Sequence, residues 1–242
     1  MSDEARVKGM LRHSRAQAII LKAMEAAKKT AQCVAVYCGS ADGSDPAFLA
    51  EARALGSALA EAGLSMVYGG ARVGLMGAAA DAALAGGAEV IGVLPEILTG
   101  SEVAHTNLTR LEVVKTMHER KARMVHLADA FLILPGGYGT LDELMEIVTW
   151  KQLRMHAKPC ILINTQNYWD GLLAFLDTTV TAGFLRPENR LLLEVAKDSA
   201  EAVEKVREQG VGAGSKRLPS LSSPPFPPES GCKFFHSFRL RW

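Results

Sequence analysis

The chain has 242 residues, 48% of them apolar and 22% charged, and these values are typical of one large globular α/β domain. Collagen, coiled-coil and wholly disordered proteins are therefore excluded. The formal net charge of +1 divides unevenly: residues 211–242 carry five basic side chains and one acidic side chain, which leaves −3 for the rest. A mildly acidic body argues against a general nucleic-acid binder, so we expect no nucleic-acid partner.

The sequence shows no sign of export, membrane insertion or disulfide bonding. The four cysteines, at positions 33, 38, 160 and 232, form no CxxC pair, so neither a zinc ribbon nor a disulfide framework is predicted. No signal segment is visible, and no apolar run approaches the ~18 residues of a membrane span. We therefore expect a cytoplasmic protein without a membrane span.

Predicted strands and helices alternate along most of the chain. Residues 4–30 predict a helix, so residues 1–31 are expected to form an N-terminal helical extension. Apolar runs then predict strands at 33–38, 64–68, 89–94, 108–114, 130–134 and 160–164, of which 108–114 is the least buried. Helices are predicted at about 46–62, 74–86, 115–128, 140–154, 168–182 and 198–209.

This alternation predicts the fold class. Residues 32–210 are expected to form a Rossmann-like three-layer α/β sandwich, with a mostly parallel sheet flanked by helices on both faces. Continuous apolar strands fit a sheet that is buried on both sides. Ligands of such sheets bind beyond the carboxyl ends of the strands, so the loops after the strands are the places where a site is predicted.

The last segment, residues 211–242, has a different composition. It contains five of the ten prolines and six serines, and it ends in a basic, aromatic stretch. This composition predicts a disordered tail. Three interpretations stay open: a tail without a role, a short docking or membrane-surface motif, and a segment that packs onto the domain.

The loop after the predicted strand 130–134 carries the strongest chemical signal. Its glycines are Gly136, Gly137 and Gly139. They let a ligand approach the backbone, and the helix that follows favours a phosphate at its N-terminus, where Thr140 can add a hydrogen bond. Glu143 can face a ligand's sugar, or it can close a capping box with Thr140. No GxGxxG or Walker A pattern is present, so a triphosphate site is not predicted.

The predicted helix 115–128 carries a second candidate group. One face contains Met117, Lys121, Met124 and Ala128. Arg120 lies at the edge of that face, and cations in such a position need anionic partners such as a phosphate or a carboxylate. The alternative is that Arg120 and Lys121 extend over apolar surface to reach solvent. His118 is expected to face solvent.

Two further glycine-containing loops are predicted at the same edge of the sheet. Gly39 and Ser40 follow the first strand, and Gly69 and Gly70 follow the second. Together the three loops predict one nucleotide-sized cleft. The second strand lacks the acidic residue of a dinucleotide ribose contact, which disfavours a nicotinamide dehydrogenase. No catalytic triad and no metal-binding spacing is present, so we expect neither a metal nor a cofactor.

These ordered motifs resemble the LONELY GUY family of cytokinin riboside 5′-monophosphate phosphoribohydrolases. The family's PGGxGTxxE motif stands at 135–143, and its Met-His-x-Arg-Lys segment stands at 117–121. Cys-Gly-Ser at 38–40 and the glycine-rich segment at 68–77 also match. The resemblance covers about residues 33–209 and departs at Ala41, where the family often has serine.

The resemblance implies hydrolysis of the N-glycosidic bond of a cytokinin riboside 5′-monophosphate, or of AMP, to free base and ribose 5-phosphate. It implies Arg120 and Glu143 as the catalytic residues, and a homodimer with the helices 115–128 and 140–154 near the interface. The loops and the resemblance together predict these substrate contacts: Gly39, Ser40, Gly69, Gly70, Met117, Lys121, Gly136, Gly137, Gly139 and Thr140.

Two alternatives to this function stay open. One is a broader purine or pyrimidine nucleoside monophosphate nucleosidase, since the sequence does not reveal the base pocket. The other is a non-catalytic carrier of a nucleotide-like ligand. Relatives of this fold are often labelled lysine decarboxylases, but no motif in this chain shows the pyridoxal phosphate lysine which that reaction needs.

Overall fold

The computed structural model of the chain describes residues 33–99 and 104–212, which contain seven strands and eight α-helices. The strands are β1 (Cys33–Tyr37), β2 (Ser65–Tyr68), β3 (Val90–Pro95), β4 (Arg110–Val114), β5 (Ala130–Ile133), β6 (Cys160–Ile163) and β7 (Glu194–Ala196). The helices are α1 (Pro46–Glu61), α2 (Gly74–Ala85), α3 (Glu96–Thr99), α4 (Met117–Leu127), α5 (Tyr138–Gln152), α6 (Asp170–Thr181), α7 (Pro187–Arg190) and α8 (Ser199–Gly212). The predicted N-terminal extension, residues 1–31, lies outside the described residues. The predicted tail, residues 211–242, also lies outside them except for residues 211 and 212, which are the last residues of α8 and correct the predicted start of the tail.

The seven strands form one fully parallel sheet in the order β4-β3-β2-β1-β5-β6-β7. The strand order reverses at β1, because the chain adds β2 to β4 on one side and β5 to β7 on the other. At such a reversal the chain leaves the two neighbouring strands toward opposite faces of the sheet, and ligands of such sheets bind in a crevice outside the carboxyl ends of the strands. The fold therefore places the crevice over the loops that follow β1 and β5.

Alternate residues of the strands pack into two separate cores. On β1, Val34 and Val36 belong to the core that includes residues of α1, α2 and α8. Ala35 and Tyr37 belong to the opposite core, which includes residues of α4, α5 and α6. Every residue of β1 and β5 is buried, as expected for central strands that are covered on both faces. The predicted three-layer α/β class is thereby confirmed.

Several predictions about single elements need correction. Strand β7 was not predicted, because it has only three residues and the first of them, Glu194, is charged. The one-turn helices α3 and α7 were not predicted either, because they are too short to show a periodicity. Helix α5 begins at Tyr138 rather than at residue 140, because Gly137 is its N-cap. Within the described residues no helix has the length and the apolar character to cross a membrane.

Candidate active site

The loops after β1 and β5 touch at the point where the strand order reverses. The Gly39 N–H donates a hydrogen bond to the Pro135 carbonyl oxygen at 2.9 Å. A Cβ atom on Gly136 would collide with Thr140 Oγ1 and would lie only 2.8 Å from the Gly39 nitrogen. Glycine is therefore required at position 136 for this close approach. The fold thus brings three of the predicted contacts, Gly39, Gly136 and Thr140, into one small region.

Helix α5 starts in this region with its first amides available. Its N-cap, Gly137, provides no side-chain cap, and the first N–H groups of an α-helix have no partner inside the helix. Thr140 lies buried in the first turn, and Glu143 follows on the same face at 8% exposure. The capping-box alternative for Thr140 and Glu143 is wrong, because Thr140 is not the N-cap and the Glu143 carboxylate accepts its hydrogen bond from Arg120.

Arg120 and Glu143 form a nearly buried ion pair between α4 and α5. Arg120 Nη1 donates to Glu143 Oε1 at 2.8 Å, and the two side chains are only 12% and 10% exposed. Arg120 Nε donates to the Val93 carbonyl oxygen of β3 at 3.1 Å. The remaining nitrogen, Nη2, lies against Gly69, where a Cβ atom would collide with it. Contacts from three elements therefore fix the plane of the guanidinium group.

The environment makes Glu143 a stronger base than an ordinary carboxylate. Burial raises the pKa of Glu143, and the charge and hydrogen bond of Arg120 oppose this effect only in part. A carboxyl group whose pKa is raised toward neutrality is suited to accept a proton. Burial, with a further contribution from Glu143, also raises the pKa of the nearby Cys38 thiol. Cys38 therefore stays protonated and is not an activated nucleophile.

The charge of Lys121 is balanced within the protein. Its Nζ atom lies 3.1 Å from Asp142 Oδ2 and 3.2 Å from Glu146 Oε1, both on α5. The alternative in which Arg120 and Lys121 merely extend over apolar surface is wrong, because both are nearly buried and paired with carboxylates. A direct contact between Lys121 and a substrate stays a prediction.

Three of the four residues predicted to share one face of α4 are buried, and the fourth is exposed. Lys121, Met124 and Ala128 are buried, but Met117 is 45% exposed because it is the first residue of the helix. His118 is exposed, as predicted. The exposed Met117 therefore does not share the buried face, and its contact with a substrate stays a prediction.

The remaining predicted contacts lie in the loops around the crevice. Ser40 is exposed, and a Cβ atom on Gly74 would collide with its backbone, so the loops after β1 and β2 also touch. Gly70 has a positive φ of 78°, and its carbonyl oxygen accepts the His105 N–H at 2.9 Å. Gly137 and Gly139 are exposed, and a Cβ atom on either would meet no atom within 4 Å. Their backbones are therefore open to a ligand.

Two groups that contact this site were not predicted from the sequence. The Val93 carbonyl oxygen orients Arg120, but a backbone acceptor leaves no side-chain signal in the sequence. The Tyr168 hydroxyl donates to the Gly136 carbonyl oxygen at 2.7 Å. Tyr168 lies in the loop after β6, and its contact with a backbone carbonyl likewise leaves no motif in the sequence. Among the described residues, no group of three or more His, Cys, Asp or Glu side chains is placed to hold a metal ion.

Similar proteins of known sequence share one name, cytokinin riboside 5′-monophosphate phosphoribohydrolase. A cytokinin riboside 5′-monophosphate phosphoribohydrolase of Rhodococcoides fascians is 44% identical over 182 residues, which cover 75% of this chain and 92% of that protein. A protein of the same activity from Arabidopsis thaliana is 42% identical and covers 76% of this chain and 85% of its own length. Residues 76–206 match a family model described as "Possible lysine decarboxylase". The named relatives do not carry that label.

Solved structures of lower identity share the fold. The molybdenum cofactor binding protein of Rippkaea orientalis has a TM-score of 0.57 at 21% identity, over 74% of this chain and 96% of that chain. The molybdenum cofactor carrier protein of Chlamydomonas reinhardtii has a TM-score of 0.56 at 22% identity, over 73% and 96% of the two chains. At such identities the likeness shows a common fold and carries no statement about ligands.

Proposed function

Because this chain belongs to the cytokinin riboside 5′-monophosphate phosphoribohydrolase family, we propose that it hydrolyses the N-glycosidic bond of such a monophosphate to free base and ribose 5-phosphate. One observation carries the proposal: the nearly buried ion pair of Arg120 and Glu143 lies one helical turn from the glycine loop at the crevice of the sheet. A carboxylate in that position has a role in glycosidic bond cleavage that simple phosphate binding does not require.

In this proposal the start of α5 binds the 5′-phosphate. The free amides of the first turn and the positive end of the helix dipole favour an anion, and the exposed glycines allow it to approach the backbone. Thr140 adds a hydroxyl group beside Gly136. Lys121 gives less support, because Asp142 and Glu146 already balance its charge.

Glu143 then faces the ribose. It follows Thr140 by three residues, which is about 4.5 Å along the helix axis, so phosphate and sugar can meet the same face of α5. Cleavage of the N-glycosidic bond builds positive charge on the ribose in an oxocarbenium-like transition state. The Glu143 carboxylate stabilises that charge and accepts a proton from the attacking water, which a raised pKa favours.

Arg120 keeps the carboxylate in place and balances its charge. It donates one hydrogen bond to Glu143 and another to the Val93 carbonyl, so its own geometry is set by β3. We propose that Arg120 also contacts the phosphate or the ribose once the substrate is bound. In this scheme the leaving base takes up a proton and water supplies the new hydroxyl at the ribose, so no metal or cofactor enters.

The test is a base-release assay with the wild-type chain. AMP and isopentenyladenosine monophosphate are incubated with the protein together with a panel of other nucleoside monophosphates, and free base is quantified. Release that is greatest with the isoprenylated nucleotide is the expected result. Equal release from many purine and pyrimidine monophosphates would favour the broader nucleosidase. Binding of these nucleotides without any base release would favour the carrier.

We further propose that the chain acts as a homodimer through the outer face of α5. A shallow depression of about 460 Å³ lies on this face, lined by Leu141, Asp142, Met145, Glu146, Thr149 and Trp150. It contains neither Arg120 nor Glu143, so it is better suited to a protein contact than to the chemistry. Sedimentation equilibrium of wild type and Thr149→Arg, a change at an exposed residue of the depression, tests this: we expect a dimer for wild type and a monomer for the variant. Localisation in the cytoplasm stays a prediction.

A further inference from the structure

The side chain of Tyr168 connects three loops at the carboxyl edge of the sheet. Its hydroxyl group donates to the Gly136 carbonyl oxygen at 2.7 Å. Its ring packs edge-on against Phe48 of α1, with 5.6 Å between the centroids. Phe48 in turn lies under the loop after β1, since a Cβ atom on Gly43 would be 2.7 Å from its ring. The loops after β1, β5 and β6 are therefore joined through one tyrosine.

The loop after β6 holds Tyr168 firmly in this place. The neighbouring Trp169 is buried, and its ring packs edge-on against Tyr168 at 4.8 Å. The backbone N–H of Trp169 donates to Asn164 Oδ1 at 2.8 Å. Gln166 and Asn167 both have positive φ angles, 53° and 57°, which turn the chain tightly before the tyrosine. The ring is therefore fixed on two sides, although Tyr168 remains 43% exposed.

The hydrogen bond from Tyr168 determines how one peptide group of the glycine loop is oriented. No peptide bond in the described residues is cis, and in a planar trans peptide the C=O and the N–H point in opposite directions. Because the Gly136 carbonyl points to Tyr168, the Gly137 N–H points away from it. Within the described part of the chain this N–H has no hydrogen-bond acceptor. A peptide between two glycines turns over easily, so without Tyr168 the carbonyl could replace the N–H.

We propose that Tyr168 is a positioning residue for phosphate binding: it holds the Gly136 carbonyl away from the 5′-phosphate and keeps the Gly137 N–H directed at it. This inference rests on the proposed function, in which the glycine loop binds that phosphate. A carbonyl oxygen turned toward a phosphate would repel it, whereas a fixed N–H donates a charge-assisted hydrogen bond. The residue acts on the phosphate only, and the base and the reacting bond do not depend on it.

Tyr168→Phe tests the inference, because it removes the hydroxyl group and keeps the aromatic packing. We expect the KM for the nucleoside monophosphate and the inhibition constant of ribose 5-phosphate to rise about tenfold, the order of one lost hydrogen bond. The inhibition constant of free adenine should stay within about twofold, and kcat within about threefold. The matched control is Thr178→Val, which removes a hydroxyl that donates to the Ala174 carbonyl on α6. It should change none of these constants.

A loss that is equal for ribose 5-phosphate and adenine, or no loss at all, would overturn the inference. The ratio of the two inhibition constants is measured within one variant, so a change in the folded fraction cancels. The proposed function has a separate readout, namely base release by the wild type. If the wild type releases no base, calorimetric titration of ribose 5-phosphate into wild type and Tyr168→Phe still tests the role of Tyr168.

Discussion

Two neighbouring pairs of charged residues join α4 to α5, and they lie in opposite environments. Arg120 pairs with Glu143 toward the sheet, where both side chains are nearly buried. Lys121, the next residue, pairs with Asp142, which is 62% exposed, and with Glu146. The same two helices thus carry an inner pair, Arg120 and Glu143, and an outer pair, Lys121 and Asp142. The two pairs differ in burial and not in the kind of charge, and only the inner pair lies where the proposed function needs a carboxylate.

The two pairs also differ in how burial and pairing are balanced. For Glu143 burial dominates, and the pKa of the carboxyl group is raised despite Arg120. For Lys121 burial lowers the pKa, but the hydrogen bonds with Asp142 and Glu146 outweigh this effect and leave the pKa raised. In the outer pair, the partners of Lys121 therefore stabilise its charged form. In the inner pair, burial favours the protonated form of Glu143, so this carboxylate is a stronger base than an ordinary one.

The largest effect is expected from removal of the inner carboxylate. Glu143→Gln keeps the size of the side chain but can neither stabilise positive charge on the ribose nor accept a proton. We expect kcat for base release to fall by a factor of about 10² to 10⁴. The matched control is Asp142→Asn, which removes the adjacent carboxylate of the outer pair and should change kcat less than about threefold. Comparable losses in the two variants would break the distinction between the pairs.

The next effect is expected from a single methyl group behind Arg120. In Gly69→Ala the new Cβ would collide with Arg120 Nη2, and this flexible end of a side chain will move rather than the backbone. We expect kcat/KM to fall about 30-fold, because a small displacement of a positioned group is costly in catalysis. Gly171→Ala is the control, since a Cβ there meets nothing within 4 Å. An unchanged kcat/KM in Gly69→Ala would show that the orientation of Arg120 is unimportant.

A third, smaller effect concerns the pH dependence of the reaction. If Glu143 acts as the carboxylate, as the proposed function requires, activity should be lost as the pH falls through its pKa, which is raised above the ordinary value of 4.5. Arg120→Gln removes the charge that opposes the effect of burial, so the pKa should rise further. We expect the acid limb of kcat/KM to move to higher pH in this variant, measured on its residual activity from about pH 4 to about pH 8. A limb that moves to lower pH would contradict this electrostatic account.

Much of the fold follows from local patterns, but the two Thr-x-x-Glu segments show where such patterns fail. At Thr116 the segment is a working helix start: the hydroxyl accepts the Glu119 N–H, and the Glu119 carboxylate accepts the Lys115 N–H. At Thr140 the same residue pattern lies inside the first turn of α5, and the Glu143 carboxylate accepts a hydrogen bond from Arg120 instead. The two outcomes differ because Glu143 has a partner on another helix, Arg120 of α4, and a local pattern contains no information about such a contact.

The candidate site shows the same limit. The parallel sheet follows from alternating apolar runs, and it predicts that Gly39 and Gly136 lie at one edge because all strands end there. Strand order is a tertiary property, however, so the direct contact of these two loops could not be derived. Tyr168 and the Val93 carbonyl were missed for a related reason: both act through backbone carbonyl geometry, which leaves no motif in the sequence.

The smallest expected effect is on stability and concerns the outer pair. A double-mutant cycle with Lys121→Met and Asp142→Asn should give a coupling free energy of about 0.5 kcal/mol in denaturant unfolding, because Asp142 is mostly exposed and salt screens the pair. The coupling should decrease in about 1 M salt, where the screening length is only ~3 Å. The cycle of Arg120→Met with Glu143→Gln should give a larger coupling that depends less on salt, since both partners are nearly buried. If the two couplings were equal and equally sensitive to salt, burial would not distinguish the inner pair from the outer pair, and the raised pKa of Glu143 would lose its physical basis.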